Sequence, residues 1–297
     1  MPQPSTDREI DGEGVRLTKS FSFSSPTSRQ DSFGGPIEES SVNFHLPTED
    51  SHGGYSMAIS RVRVEHLCKI LRDSGLRQLS VEECCNVILS KSARSSKSGS
   101  DPSLTKKGFD DAMNSLIKWG PGVSNDTKRT LADILDGIFA VFDRDGSGKA
   151  SVVEVACGMT VLCQGKKSDK LEFAFEVLDK NKRGELSHKD MVKYLQSFLT
   201  VLLNIPFSTS LANDANVDSV RNLYGDTCER DVLTIRQAVK SGAEWAATQA
   251  SGSSGRKRNA SMSFNQFAEW YTKTGYGCIP WLELIDLRKW VIVSDQS

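Results

Sequence analysis

The apolar positions along the chain fall into helical stripes separated by short polar breaks. From Val62 onward Val64, Leu67, Cys68 and Leu71 share one face, and Gly75 offers a stop. A second helix is predicted from Ser80, an N-cap residue with Glu83 three positions on, carrying Val81, Cys84, Cys85, Ile88 and Leu89. Further on, Leu131, Ile134, Leu135, Ile138, Phe139 and Phe142 recur at steps of three and four, as do Val152, Val153, Val155, Ala156, Met159 and Leu162. The same period returns in Leu171, Phe175 and Leu178. It continues through Met191, Leu195, Phe198, Leu199 and Leu202, where Pro206 is expected to end the helix. A short helix is expected at 220–224, and a longer one over Val232, Ile235, Ala238, Val239 and Trp245. The pattern predicts an all-α fold.

One break between stripes has unusual chemistry. Asp143, Asp145, Ser147, Ser151 and Glu154 place oxygen-bearing side chains at positions one, three, five, nine and twelve of a loop, with Gly148 at six. A hard cation such as Ca2+ takes six to eight oxygens, and a loop wound around it supplies them only at fixed offsets. Lys149 would add its backbone carbonyl and Glu154 both carboxylate oxygens. The stretch resembles a calcium-competent EF-hand loop.

A second loop begins 36 residues later (179 minus 143), a spacing typical of consecutive hands, with Gly184 at position six and Leu186 at position eight. Its candidate ligands are Asp179, Asn181, Glu185, Ser187 and Asp190. Arg183 at position five brings a positive charge, and Asp190 at twelve is one methylene shorter than glutamate. Weaker calcium binding, or a preference for Mg2+, is expected here. Whether this loop takes up metal at cellular concentrations stays open.

Two further segments resemble the closing halves of hands. With Leu104 at position eight, a first loop would run from Lys97 to Gly108; with Met262 at position eight, a fourth would run from Gly255 to Gln266 through Arg256, Lys257 and Arg258. The first has no ligand at either end, and the basic run of the fourth is the opposite of a cation site, so both are expected to be metal-free scaffolds. Ala150 occupies position eight of the Asp143 loop, where a larger residue is usual, and should weaken its strand pairing. The arrangement, over roughly 60–275, resembles the calcineurin B and neuronal calcium sensor branch of the EF-hand superfamily. That resemblance implies two lobes, 56–163 with hand one degenerate and hand two competent, and 164–275 with hand three weak and hand four degenerate.

Outside these lobes, residues 1–55 are rich in Ser, Pro, Gly and acids and lack an apolar period, so a disordered tail is expected. At the other end, 276–297 forms an apolar C-terminal helix or tail. Pro280 can start it, and Trp281, Leu282, Leu284, Ile285, Leu287 and Trp290 follow. Such a segment either completes the core or fills a groove meant for a target helix.

Composition narrows the function. A net charge of -1 gives no global electrostatic case for nucleic acid. The seven cysteines form no CxxC pair and read as small buried hydrophobes in a reducing compartment, cytoplasmic or nuclear. No apolar run is long enough for a transmembrane segment, and Pro2 in place of glycine removes the N-myristoylation signal. No P-loop, kinase, GxSxG or HExxH pattern is present, so no enzyme activity is expected. The resemblance implies a calcium sensor and regulatory protein that exposes an apolar groove for a target protein. The alternatives are a regulatory module of a larger calcium-activated enzyme and, less favoured, a calcium buffer.

Overall fold

The computed structural model describes residues 41–47, 55–92, 102–207, 228–252 and 261–291. The fold is all-α, with three two-stranded ribbons among the described residues. An opening hairpin pairs β1 (Ser41–Leu46) with β2 (Tyr55–Ser60). Helix α1 (Arg61–Asp73) follows directly, and after a 3-10 turn comes α2 (Val81–Ser90), capped as the sequence suggests by Ser80, whose Oγ accepts the Glu83 N–H at 3.0 Å. Then come β3 (Ser103–Thr105), α3 (Lys106–Leu116), α4 (Asn125–Phe142), β4 (Lys149–Ser151) and α5 (Val152–Met159). The second half repeats the scheme with α6 (Lys167–Leu178), β5 (Glu185–Leu186), α7 (His188–Phe207), α8 (Cys228–Gly252), β6 (Met262–Ser263) and α9 (Phe264–Trp270).

Strand pairing organises these helices. β3 runs antiparallel to β4 with Leu104 opposite Ala150, and β5 to β6 with Leu186 opposite Met262. All four are the position-eight residues of their loops, and all four are buried. Ala150 therefore does not prevent pairing, because the backbone ladder carries it and Leu104 supplies the larger apolar surface.

The two helical halves share one continuous core. Helix α5 crosses α7 closely at Gly158, where an added Cβ would lie 2.4 Å from the Ser197 carbonyl oxygen. Only a residue without a Cβ permits that approach. In the second half, Tyr194 is wholly buried among Phe175, Phe198 and Phe267 in edge-on contacts, and its hydroxyl donates to the Leu171 carbonyl at 3.0 Å. Cys84, Cys85, Cys157 and Cys163 lie in the core as free thiols, and desolvation pushes Cys85 and Cys157 well above the usual thiol range.

Several expectations are corrected. The segment 1–55 is not structureless throughout: β1 falls within it, and Leu46 is fully buried where it fills the space beside Gly242 of α8. Residues 1–40 lie outside the described residues, as do the proposed helix at 220–224 and the opening parts of the first and fourth loops, 97–101 and 255–260. Helix α7 reaches Phe207, next to the expected stop at Pro206. The apolar C-terminal segment is not one helix. It forms a 3-10 turn over Pro280–Ile285 and a short α turn over Arg288–Val291, and Trp281, Leu282, Leu284, Ile285, Leu287 and Trp290 are all buried. Trp290 Nε1–H bonds back to the Leu284 carbonyl at 2.8 Å. This segment packs against α1, α6 and α7.

Candidate metal centre

The Asp143 loop starts where α4 runs out. Phe139 and Phe142 anchor the last turn in the core, and Asp143 is its C-cap, with φ -76° and ψ 73°. From there the chain turns through Gly146 (φ 69°) and Gly148 (φ 73°), left-handed conformations that side chains resist. Asp143 Oδ2 accepts the Gly148 N–H at 2.9 Å, closing the turn across positions one and six. Asp145 Oδ1 accepts the Ser147 N–H at 3.1 Å. Hydrogen bonds from Ser147, hydroxyl and amide together, hold the Asp145 carboxyl below its ordinary range, with the Asp143 carboxyl a lesser neighbour. The loop then enters β4 and α5, where Ser151 is N-cap and its Oγ faces the Glu154 N–H at 3.4 Å.

Burial distinguishes the two ends of the loop from its middle. Asp143 is 8% exposed and Glu154 4%, whereas 144–149 are exposed. Asp143 Oδ1 is buried without a hydrogen-bond partner. A buried carboxylate oxygen left bare is costly, and a bound cation is the natural remedy. Together with the carboxylates, hydroxyls and carbonyl at the remaining positions, this donor set suits a hard oxygen-seeking ion.

The acids are not drawn into a closed ligand set, however. Among the described residues no group of three or more His, Cys, Asp or Glu side chains converges as a metal cluster. Glu154, expected to offer both oxygens, has Oε2 paired with the Arg144 guanidinium from loop position two. A second arginine meets the opposite end. Arg236, on α8, donates to the backbone carbonyls of Ala140 (2.6 Å) and Asp143. Neither arginine was singled out by spacing. Arg144 was legible in principle, as a cation two places into an acid-rich loop; Arg236 lies 93 residues from Asp143 and carries no sequence signal.

The Asp179 loop shares the backbone plan. Asp179 caps α6, Gly184 has φ 70°, and the Gly184 N–H donates to Asp179 Oδ2 at 2.6 Å. Its chemistry differs, because Asp179 Oδ1 is also satisfied, by the Arg183 N–H at 3.1 Å. Asp190 Oδ2 accepts from the Ser187 hydroxyl at 2.6 Å, so two candidate ligands are engaged with each other. Asn181, Glu185 and Ser187 are exposed.

No family model matches the chain. Partial likenesses to curated proteins exist. The chain is 33% identical to human calaxin over 66 residues, which is 22% of this chain and 31% of calaxin. Calaxin of Xenopus laevis is 29% identical over 100 residues, covering 33% of this chain and 45% of that protein. A Drosophila melanogaster protein, ubiquitin carboxyl-terminal hydrolase 32, is 30% identical over 67 residues but only 4% of its length is covered. The chain thus spans about a third to a half of the calaxins it matches. Among the described residues no helix is long and apolar enough to cross a membrane.

Proposed function

We propose that this chain is a non-enzymatic, calcium-binding regulatory protein of the EF-hand type, with the Asp143–Glu154 loop as its principal site. The observation that carries the reading is the buried, partnerless Asp143 Oδ1 at loop position one, inside a turn built from Asp143, Gly146 and Gly148. Asp143, Asp145, Ser147, the Lys149 carbonyl, Ser151 and Glu154 would hold Ca2+. The Asp179 loop is a secondary site for Ca2+ or Mg2+ at most, since Asp179 and Asp190 already have internal partners. The four-hand plan, in the manner of calcineurin B and the neuronal calcium sensors, is supported by the two position-eight pairings.

Calcium supplies charge and fixed coordination; the chain's own residues supply the response. Glu154 sits at the start of α5, and α5 is locked to α7 at Gly158. A movement of Glu154 toward the loop would therefore change the α4–α5 angle and press on the second half. The partner in this reading is a helix of a target protein, received in an apolar groove that Trp281 and its neighbours fill in the present conformation. A cytoplasmic or nuclear setting suits such a role. The partial likeness to a ubiquitin hydrolase favours, as a second reading, a regulatory module within a calcium-activated enzyme. An apolar fluorescent dye distinguishes a sensor from a buffer: fluorescence should rise on adding Ca2+ to the full chain. Calcium binding with unchanged fluorescence would leave only a buffering role.

A further inference from the structure

We infer that Arg144 is an internal competitor for Glu154, and that it sets the calcium affinity of the loop; the inference rests on the calcium-binding reading above. Three observations converge on it. Glu154 is the position-twelve residue, and its side chain is 5% exposed. Its Oε2 is paired with the Arg144 guanidinium, while the Arg144 side chain remains 44% exposed. Asp143, at the other end of the same loop, has one buried oxygen with no partner at all. The loop's arginine is thus spent on the carboxylate that would close the site, rather than on the one that opens it.

A carboxylate so thoroughly removed from water needs a counter-charge, and an arginine fork provides it with directed N–H donors. In the metal-free chain Arg144 therefore stabilises Glu154 where it lies. For Glu154 to serve a cation at the loop centre, that pairing must be exchanged for metal coordination. Arg144 can swing into solvent at little cost, being nearly half exposed already, so the exchange is reversible. Calcium affinity is then the difference between two partners of one carboxylate. A site free of this competition would bind more tightly and report smaller changes in calcium less well. The Asp179 loop does not share the device. Its position-twelve Asp190 is bonded to the Ser187 hydroxyl, with Lys193 more distant at 4.0 Å.

The test is calcium titration by calorimetry of the full chain, as wild type, Arg144→Gln and Lys149→Gln. Both variants remove one positive charge from the same loop, but only the first frees Glu154. Arg144→Gln is expected to tighten the site about tenfold, and Lys149→Gln about twofold at most. Melting curves give an independent reading. Without metal, Arg144→Gln should melt below the wild type, and its calcium-induced rise should be larger. Equal tightening in both variants would show general electrostatics and overturn the inference, as would unchanged or weaker binding in Arg144→Gln while the wild type binds calcium. Absence of binding in every variant would defeat the calcium reading itself, and the inference with it. Binding gained only in Arg144→Gln would support both.

Discussion

Arg236 reaches from α8 to the backbone carbonyl of Asp143, the first residue of the candidate calcium loop, and to that of Ala140 one turn earlier. These carbonyls lie at the C-terminal end of α4, where intrahelical donors have run out. One side chain from the second half of the fold therefore finishes a helix of the first half. Arg236→Ala should lower stability by about 2 kcal/mol, because two carbonyls lose a charged donor. Urea unfolding of the metal-free chain measures this. A loss below about 0.5 kcal/mol would mean that water replaces the guanidinium.

At Gly158 the usual rule for helices reverses. Replacing a helical glycine by alanine gains about 1 kcal/mol where the site is open. Here the new methyl would meet the Ser197 carbonyl oxygen at 2.4 Å and the Phe142 ring at 2.7 Å, so α5 and α7 must separate. Gly158→Ala is expected to cost about 2–3 kcal/mol. Gly137→Ala should cost less, since its obstacle is the Asn204 side chain rather than a backbone carbonyl. Thermal melts of the pair check the ranking.

The C-terminal segment is fastened by a buried carboxylate. Glu283, 3% exposed, accepts from the Tyr271 hydroxyl at 2.7 Å and is paired with both Lys167 and Lys289. Glu283→Gln removes the charge that compensates two lysines and should destabilise by about 2–3 kcal/mol, the lysines being partly hydrated. Loosening should also show as faster proteolysis after residue 276. A variant as resistant as the wild type would mean that Trp281 and Trp290 alone hold the segment.

Lys170 gives a pH dependence of definite sign. It is fully buried, and its ammonium donates to the carbonyls of Val161 and Ile285, each at 3.0 Å. Desolvation lowers its pKa to about 8 from 10.5. Below pH 8 both folded and unfolded chains carry the proton, and the folded state bears the cost of a buried charge. Between pH 8 and 10.5 the folded amine loses its proton while the unfolded one keeps it, so this contribution favours folding as pH rises. Buried thiols act in the opposite sense above pH 9, so the comparison must be with Lys170→Met. From pH 7 to pH 10 the stability difference should move by about 2 kcal/mol toward the wild type. A difference independent of pH would contradict a lowered lysine pKa.

The helices and turns were legible because their causes are local. Ser80 and the alternation of Phe139, Phe142 and their partners announce caps and buried faces, while Gly148 and Gly184 mark turns that only glycine takes easily. Position-eight pairing was also readable, since Leu104, Leu186 and Met262 each sit at a fixed offset from an expected loop. The C-terminal segment was read by its composition but not by its shape, since Pro280 and closely spaced large side chains favour a tight 3-10 turn over a regular helix. What escaped was long-range polar contact. Neither the Arg236 bond to the loop nor the Glu283 cluster leaves a period in the chain, and the Arg144–Glu154 pair depends on which of several nearby charges wins.

The central claim is that the Asp143 loop binds calcium through its own oxygens. Calorimetric titration of the full chain with Ca2+, beside Asp143→Ala and Glu154→Gln, tests it most directly. The account predicts one tight site in the wild type, at about 10⁻⁷–10⁻⁵ M, that is lost in both variants. Tight binding that survives either substitution would contradict it.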